Sequence, residues 1–131
     1  MRRYLTKKEI GDLGERIAVH YLRLRGYTVK ERNWRDGKAE IDMIAATLFD
    51  IAFVEVKTRS YDAAELDFTA PPGNAVRADK KRLTRQAARA YLLSHPTKRH
   101  PRMDVIEIWL EKAPAGKKPR VLRINHIKAA Y

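Results

Sequence analysis

The sequence predicts an α/β fold in which a mixed central sheet of about five strands is flanked by helices. Three observations lead to this prediction. Two segments have apolar residues at helical spacing, five shorter segments have the composition of strands, and the two kinds follow the order α-β-β-β-α-β-β. With 131 residues, no internal repeat and no low-complexity tract, we expect residues 1–131 to form a single domain.

The first helix is predicted to run from Thr6, which can cap its N-terminus, to Arg25, because Gly26 then ends the helical pattern. Five apolar residues recur at helical spacing and should form its buried stripe: Ile10, Leu13, Ile17, Tyr21 and Leu24. Glu15 lies at the edge of this stripe rather than on the solvent side. Spacing alone allows it either to pair with a neighbouring arginine, Arg16 or Arg23, or to point into a site on the sheet.

Three extended segments follow, at Tyr27–Asn33, Glu40–Ala46 and Ile51–Thr58. Turns are predicted at Asp36-Gly37 and at Thr47–Asp50, and such short connections make the three strands antiparallel neighbours.

The second half of the chain is predicted to contain a loop, a helix and two strands. Residues 59–78 have no clear period and include Pro71, Pro72 and Gly73, so we expect a long loop. Asp79 can cap a helix that ends near Ser94. Its inward residues should be Leu83, Ala87, Ala90 and Tyr91. The last strands are expected at Met103–Leu110 and Arg120–His126, joined by a polar turn at Glu111–Pro119.

The segment Ile51–Thr58 has the apolar density of a strand buried on both faces, yet it contains two charges. Alternation directs Phe53, Glu55 and Lys57 to one face. Buried charges cost several kcal/mol unless they are paired or bind a metal ion. A structural salt bridge between Glu55 and Lys57 is one explanation of this pattern, and a chemical site is the other.

Asp42 favours the second explanation, because it interrupts the apolar run of the preceding strand, which can pair with the Glu55 strand. Two carboxylates on adjacent strands form the kind of oxygen site that suits Mg²⁺, and without a cation they would repel each other. Lys57 can hold a water molecule or stabilise charge on a phosphate under attack. Together these residues form a hydrolytic centre that Glu15 could reach from the first helix.

Three motifs resemble the YraN family of uncharacterised bacterial proteins: Gly11-x-x-Gly14-Glu15, Glu40-Ile41-Asp42, and the block from Phe53 to Arg59. That family is similar to PD-(D/E)xK nucleases, including archaeal Holliday-junction resolvases. The resemblance implies a restriction-endonuclease-like core with an α-β-β-β-α-β-β order.

The resemblance also implies roles for the site residues in phosphodiester hydrolysis. Asp42 and Glu55 would bind Mg²⁺ or Mn²⁺, with the Val56 carbonyl as a third ligand. Lys57 would orient the attacking water. Glu15 would act as a further catalytic residue that completes the metal site directly or through water.

The net charge of +12, from 28 Lys and Arg against 16 Asp and Glu, favours a polyanionic partner. On the second helix, Lys81, Arg85 and Arg89 recur every four residues and form one cationic ridge. The predicted nucleic-acid-binding set also includes their neighbours and one strand residue: Lys80, Arg82 and Arg59. A solvated helix face is the alternative, but such a face normally mixes both signs.

The sequence therefore predicts a metal-dependent endonuclease that acts on structured or single-stranded DNA in repair or recombination, with DNA favoured over RNA. Two alternatives stay open: a non-catalytic nucleic-acid-binding module that retains the core, and a basic scaffold protein. The absence of cysteine excludes disulfides and a cysteine nucleophile. No apolar run is long enough for a membrane span and none resembles a signal peptide, so we expect no membrane association and a cytoplasmic location. A homodimer is left open.

Overall fold

The computed structural model describes residues 4–61 and 78–131. The elements are α1 (Lys7–Leu24), β1 (Thr28–Asp36), β2 (Ala39–Ala46), β3 (Asp50–Tyr61), α2 (Ala78–Ser94), β4 (His100–Glu111) and β5 (Val121–Ile127). Their order is the predicted one, and the predicted fold class is confirmed. Strand β3 continues three residues beyond its predicted end, into the segment expected to be a loop. Residues 62–77 of that predicted loop lie outside the described residues, and its last residue, Ala78, begins α2. Within the described ranges, neither helix combines the length and apolar character needed to cross a bilayer.

The five strands form one sheet in the order β1-β2-β3-β4-β5, so β3 lies at its centre. Three neighbouring pairs are antiparallel, and β3 and β4 are parallel. Parallel neighbours require a crossover connection, and α2 lies between β3 and β4 in the chain. The sheet is therefore mixed, as the sequence predicts.

Each face of the sheet has its own apolar core. On one face, α1 packs through residues such as Leu22 against Val54 and Ile106. On the other face, α2 packs through Tyr91 against Phe53 and neighbouring residues of β2. This three-layer arrangement leaves β3 buried from both sides, which is why its sequence is almost continuously apolar.

Helix α1 begins as predicted, but its most buried residues differ from the expected ones. Thr6 and Glu9 form a reciprocal capping box, and Gly26 adopts φ = 87° just after the helix. The fully covered residues are Gly14, Ala18, Val19 and Leu22. Most of the predicted stripe is only partly buried beside them, and Leu24 is 72% exposed. The helix is rotated toward Gly14 and Ala18, and the absence of a side chain at Gly14 allows its close approach to Thr58 on the sheet.

Helix α2 begins at Ala78, so Asp79 lies inside the first turn and the prediction that it is the cap was wrong. A carboxylate in the first turn still complements the helix dipole. The buried residues are Thr84, Ala87, Ala88 and Tyr91. Of the other predicted inward residues, Leu83 packs partly buried against the core, and Ala90 is half-buried.

Candidate metal and nucleic-acid site

The candidate site begins where strands β2 and β3 separate. Their antiparallel pairing ends at Met43 opposite Val54. One residue away from this last pair, the Asp42 carboxylate turns toward β3, and the backbone N–H of Val56 donates a hydrogen bond to Asp42 Oδ2 at 2.7 Å. A backbone N–H inside a sheet needs a partner, and here a side chain of β2 supplies it. Asp42 is thereby held against the middle of β3.

Glu55 is the most deeply buried charge of the site, with 5% of its side chain exposed. Strand alternation directs Glu55 and Lys57 to the face of the sheet that α2 covers. Glu55 Oε1 lies 3.3 Å from Lys57 Nζ and also accepts a hydrogen bond from Lys80 Nζ on α2. The salt bridge considered from the sequence is therefore present, and a second ammonium group shares the same oxygen.

The carboxylates of this site act on one another electrostatically. Burial, and then the charge of Glu55, raises the pKa of Asp42 to about 7 from an ordinary value of 3.8. The hydrogen bond from the β3 backbone and the charge of Lys80 oppose this shift without cancelling it. The pKa of Glu15 is also raised, chiefly by burial and further by nearby carboxylates that include Glu55. Burial and the proximity of other carboxylates therefore disfavour the ionised forms of Asp42 and Glu15.

Glu15 approaches the site because α1 packs very closely on β3. A Cβ at Gly14 would overlap the side chain of Thr58, so only glycine permits this contact. The following residue, Glu15, then lies beside the sheet. The Asn33 amide nitrogen, in the orientation that satisfies its hydrogen bonds, is 3.0 Å from Glu15 Oε1 and 3.1 Å from Glu40 Oε1. Glu15 is directed to the sheet by the packing of Gly14 and by this amide.

The cationic ridge of Lys81, Arg85 and Arg89 lies on α2, and both arginines are exposed. The Tyr131 ring lies under its first two members, with Lys81 Nζ at 5.5 Å and Arg85 Cζ at 5.3 Å from the ring centroid. The Tyr131 hydroxyl is 2.8 Å from Thr84 Oγ1. This tyrosine links the ridge to the carboxylate site, since the charge of Glu55 contributes to the raised pKa of Tyr131, which burial causes in the first place.

The remaining predicted binding residues lie in different places. Arg82 is exposed on α2, and Arg59 is exposed on β3, on the same face as Glu55 and Lys57 by alternation. Lys80, which the sequence groups with the phosphate-binding residues, instead contacts Glu55 inside the site. The structure thus gathers Asp42, Glu55 and Lys57 around the middle of β3 and adds Lys80 to them, whereas Glu15 acts on the two carboxylates only through its charge.

Sequence reasoning missed the inward direction of Lys80, although the sequence contains a signal for it. Lys80 precedes the buried residues Thr84 and Ala88 by one and two helical turns, so it continues their stripe. The sequence prediction also missed Glu107. This residue is buried between apolar neighbours of β4 and lies opposite Lys57 in the sheet register. Asn125 donates a hydrogen bond to Glu107 Oε1 at 3.1 Å. The signal is the same as for Glu55: a charge inside an apolar strand.

The donor set at this site suits Mg²⁺ or Mn²⁺. Magnesium prefers oxygen ligands and commonly uses one or two carboxylates together with water and substrate phosphates. Asp42 and Glu55 supply two carboxylates. Because the N–H and C=O of one strand residue point to the same side, the Val56 carbonyl faces the gap that contains Asp42. In the described parts of the chain, no three side chains of His, Asp or Glu form a group able to hold a metal ion by themselves.

Fold and site together define the class of protein: a three-layer α/β protein in which two neighbouring strands of the sheet, β2 and β3, contribute a carboxylate each beside a cationic helix. Comparison with known proteins identifies the family. The model of the uncharacterised protein family UPF0102 matches residues 14–108, and this chain belongs to that family.

Individual relatives align over nearly their whole length. The chain is 38% identical to a UPF0102 protein of Alkaliphilus oremlandii over 127 residues, which cover 95% of this chain and 98% of the relative. It is 36% identical to a relative in Caldanaerobacter subterraneus, covering 97% and 98%, and 37% identical to one in Bacteroides thetaiotaomicron, covering 94% and 92%. The sequence motifs therefore led to the correct assignment, that of an uncharacterised bacterial protein family.

Proposed function

We propose that this protein is a metal-dependent nuclease that hydrolyses phosphodiester bonds, with structured or single-stranded DNA as its substrate. The observation that carries the proposal is the carboxylate pair of Asp42 on β2 and Glu55 on β3, with Lys57 on the same buried strand as Glu55. A purely structural site has no use for an aspartate whose pKa is raised by burial and then by repulsion from a second carboxylate, that of Glu55. A divalent cation would remove that repulsion.

In this proposal, Asp42, Glu55 and the Val56 carbonyl hold Mg²⁺ or Mn²⁺. The bound ion would polarise the scissile phosphate and supply a reactive water. The Lys57 ammonium, 3.3 Å from Glu55 Oε1, is positioned to orient that water and to neutralise charge that develops on the phosphate. Glu15 stands close enough to alter the charge state of Asp42, and would complete the site directly or through water.

The substrate class follows from charge. An excess of 12 positive charges coexists with an acidic pocket, and the ridge of Lys81, Arg85 and Arg89 lies on the helix that covers this pocket. Contacts from such a ridge to phosphates fix the register of a nucleic acid without reading its bases. We therefore infer backbone and shape recognition, with the scissile phosphate directed to the carboxylates.

A non-catalytic nucleic-acid-binding module is the second candidate. One specific observation favours it: the ammonium groups of Lys57 and Lys80 already neutralise Glu55 without any metal ion. Such a site could be a stable remnant of a catalytic core. The two candidates differ in whether a divalent cation displaces this internal pairing.

The deciding experiment is a cleavage assay with labelled single-stranded, duplex, flap and four-way-junction DNA, and RNA counterparts, with and without Mg²⁺ or Mn²⁺. The nuclease proposal expects cleavage of at least one substrate that requires the metal. Lys57→Ala should lower its rate by about 100-fold or more, as expected for loss of a group that stabilises transition-state charge. The affinity of the Lys57→Ala variant for Mn²⁺ should stay within a few-fold of that of the wild type.

Glu111→Gln provides a matched control, because Glu111 is a carboxylate of the same sheet that pairs with Arg120 at 3.0 Å, outside the candidate site. This variant should cleave like the wild type, whereas Glu55→Gln should be inactive. If the wild type binds nucleic acid tightly but cleaves none of the substrates with either metal, the binding-module candidate replaces the nuclease.

A further inference from the structure

Lys80 is the least expected member of the site. It belongs to a helix whose other lysines and arginines face outward, yet its ammonium contacts Glu55 Oε1 on β3. Its side chain is 43% exposed, whereas that of Glu55 is 5% exposed. The Glu55 carboxylate of this ion pair is therefore fixed inside the protein, whereas the long Lys80 side chain has access to solvent.

The charge of Lys80 acts on both carboxylates of the site. Besides its contact with Glu55, its charge favours the ionised form of Asp42, and Asp42 in turn favours the charged lysine. Burial opposes the charged form of Lys80, but the hydrogen bond and charge of Glu55 outweigh it, so the pKa of Lys80 is raised. Lys80 thus performs, without a metal, the electrostatic task that a cation between the carboxylates would perform.

Lys57 and Lys80 differ in what they can do. Lys57 lies on the same strand face as Glu55, two residues along β3, and its direction is set by the sheet. Lys80 reaches Glu55 from the first turn of α2, with a side chain that is 43% exposed and belongs to none of the strands. One turn further along α2, Thr84 is buried and bonded to Tyr131, so this part of the helix is anchored independently of Lys80.

We propose that Lys80 is an internal counterion that occupies the cation position beside Asp42 and Glu55 and is displaced when a divalent metal ion binds. This inference rests on the proposed metal site and adds a regulatory step to it. Once released, Lys80 joins the cationic side of α2, where Lys81 and Arg85 lie. Metal loading therefore places one additional positive charge where the phosphates of a nucleic acid would lie, and in the metal-free protein the acidic site stays neutralised.

The test is a calorimetric titration of Mn²⁺ into metal-free wild type, Lys80→Met and Lys80→Gln, without nucleic acid. Removing the competing ammonium should tighten Mn²⁺ binding by roughly tenfold, the effect of a partly buried ion pair. Lys81→Met is the matched control: it removes the same charge one residue along α2, and it should bind Mn²⁺ like the wild type. Equal or weaker binding by both Lys80 variants would overturn the proposal.

A second measurement uses the unaltered protein and does not depend on the folding of any variant. Amide hydrogen exchange in residues 78–84 should become faster when Mg²⁺ is added, because the tie between α2 and Glu55 is broken. Unchanged exchange at saturating Mg²⁺ would also overturn the displacement.

The two proposals fail in different ways. If the wild type binds Mn²⁺ and Glu55→Gln does not, the metal site stands, and the Lys80 variants decide on displacement alone. If neither the wild type nor the Lys80 variants bind Mn²⁺, the metal site and the displacement are both wrong.

Discussion

Asp42 and Asp104 show how strongly local partners decide what a carboxylate does in this protein. Burial would raise the pKa of both. At Asp42 it is reinforced by a second carboxylate, and the pKa rises to about 7. At Asp104, hydrogen bonds from His126 and Arg102 outweigh burial, and the pKa falls to about 2. Asp42 has too little positive charge around it to offset burial and Glu55, which fits a metal ligand. Asp104 is fully paired, which fits a structural anchor.

Asp42→Asn should reveal the strain at the site as a pH-dependent gain in stability. Because the pKa of Asp42 in the folded protein lies above its ordinary value of 3.8, the wild type loses stability as the pH rises from about 4 to about 7. The amide cannot ionise, yet its oxygen can still accept the Val56 hydrogen bond. Without divalent cations, the free energy of unfolding of the variant should exceed that of the wild type at pH 8 and approach it near pH 4.

Denaturant titrations at the two pH values measure this difference. A variant that is less stable than the wild type at pH 8 would show that Asp42 is a stabilising structural residue.

Asp104→Asn should instead destabilise the protein by about 3 kcal/mol, because it leaves buried partners without their charge. Asp104 is fully buried and accepts from Arg102, from His126 Nε2 at 2.7 Å and from the Ala129 N–H at 3.0 Å. Its lowered pKa means that this stability is present above about pH 4 and is lost as the pH falls toward 2. Thermal unfolding monitored by circular dichroism between pH 2 and 7 measures both effects.

Asp50→Asn is the control for that prediction. The Asp50 carboxylate lies 3.4 Å from the same Arg102, but its side chain is 33% exposed. Because Asp50 is partly exposed, its ion pair should contribute about 1 kcal/mol, less than the fully buried one of Asp104. Equal losses in the two variants would contradict the anchoring role of Asp104.

At the scale of whole elements, the position of α1 depends on one glycine. Gly14→Ala should destabilise the protein by about 2 kcal/mol, since the added methyl group overlaps Thr58 in a packed layer. Gly11→Ala is the matched control on the same helix: nothing lies within 4 Å of the added Cβ, and alanine favours the helix. Gly11→Ala should therefore be neutral or slightly stabilising, and comparable losses in both variants would contradict the role of the close contact between Gly14 and Thr58.

The sequence could predict the elements because their signals are local. The capping residue Thr6, the glycine at position 26 and the short turn between Asp36 and Ala39 each act within a few residues. Burial on α1 could not be predicted in the same way. Apolar periodicity favours Ile10 or Leu13 as buried residues. The closest contact with the sheet is instead made at Gly14, where the facing Thr58 leaves no room for a side chain.

The same distinction explains which site residues could be found. Asp42, Glu55 and Lys57 are detectable because a charge in an apolar strand is costly, whatever the partner. The direction of Lys80 depends on how α2 is rotated against β3, and a cluster of basic residues hides one inward lysine among outward ones. The tyrosine at position 131 reaches Thr84 across 47 residues of chain, and local spacing has no signal for such a contact.

At the scale of the whole molecule, the positive charge should govern nucleic-acid binding. Affinity for duplex DNA should fall with salt at a log–log slope of about −0.9 per phosphate neutralised. The triple variant Lys81→Ala, Arg85→Ala, Arg89→Ala should bind all sequences more weakly and flatten that slope. Fluorescence anisotropy at several salt concentrations measures both quantities.

A second triple variant removes the same charge from the opposite face of the sheet. Lys8, Arg16 and Arg23 are exposed on α1, so replacing them with alanine should leave the slope nearly unchanged. If this variant flattens the slope and the α2 variant does not, the nucleic acid binds on the α1 side and the ridge is a solvated surface.

The most direct test of the central claim is a calorimetric titration of Mn²⁺ into the metal-free wild type and Asp42→Asn. It requires no knowledge of the natural substrate. The wild type should bind the ion at about millimolar concentration or below, and Asp42→Asn should lose this binding while remaining folded. A wild type that binds no divalent cation in this range, with or without DNA, would contradict the claim that Asp42 and Glu55 form a metal site.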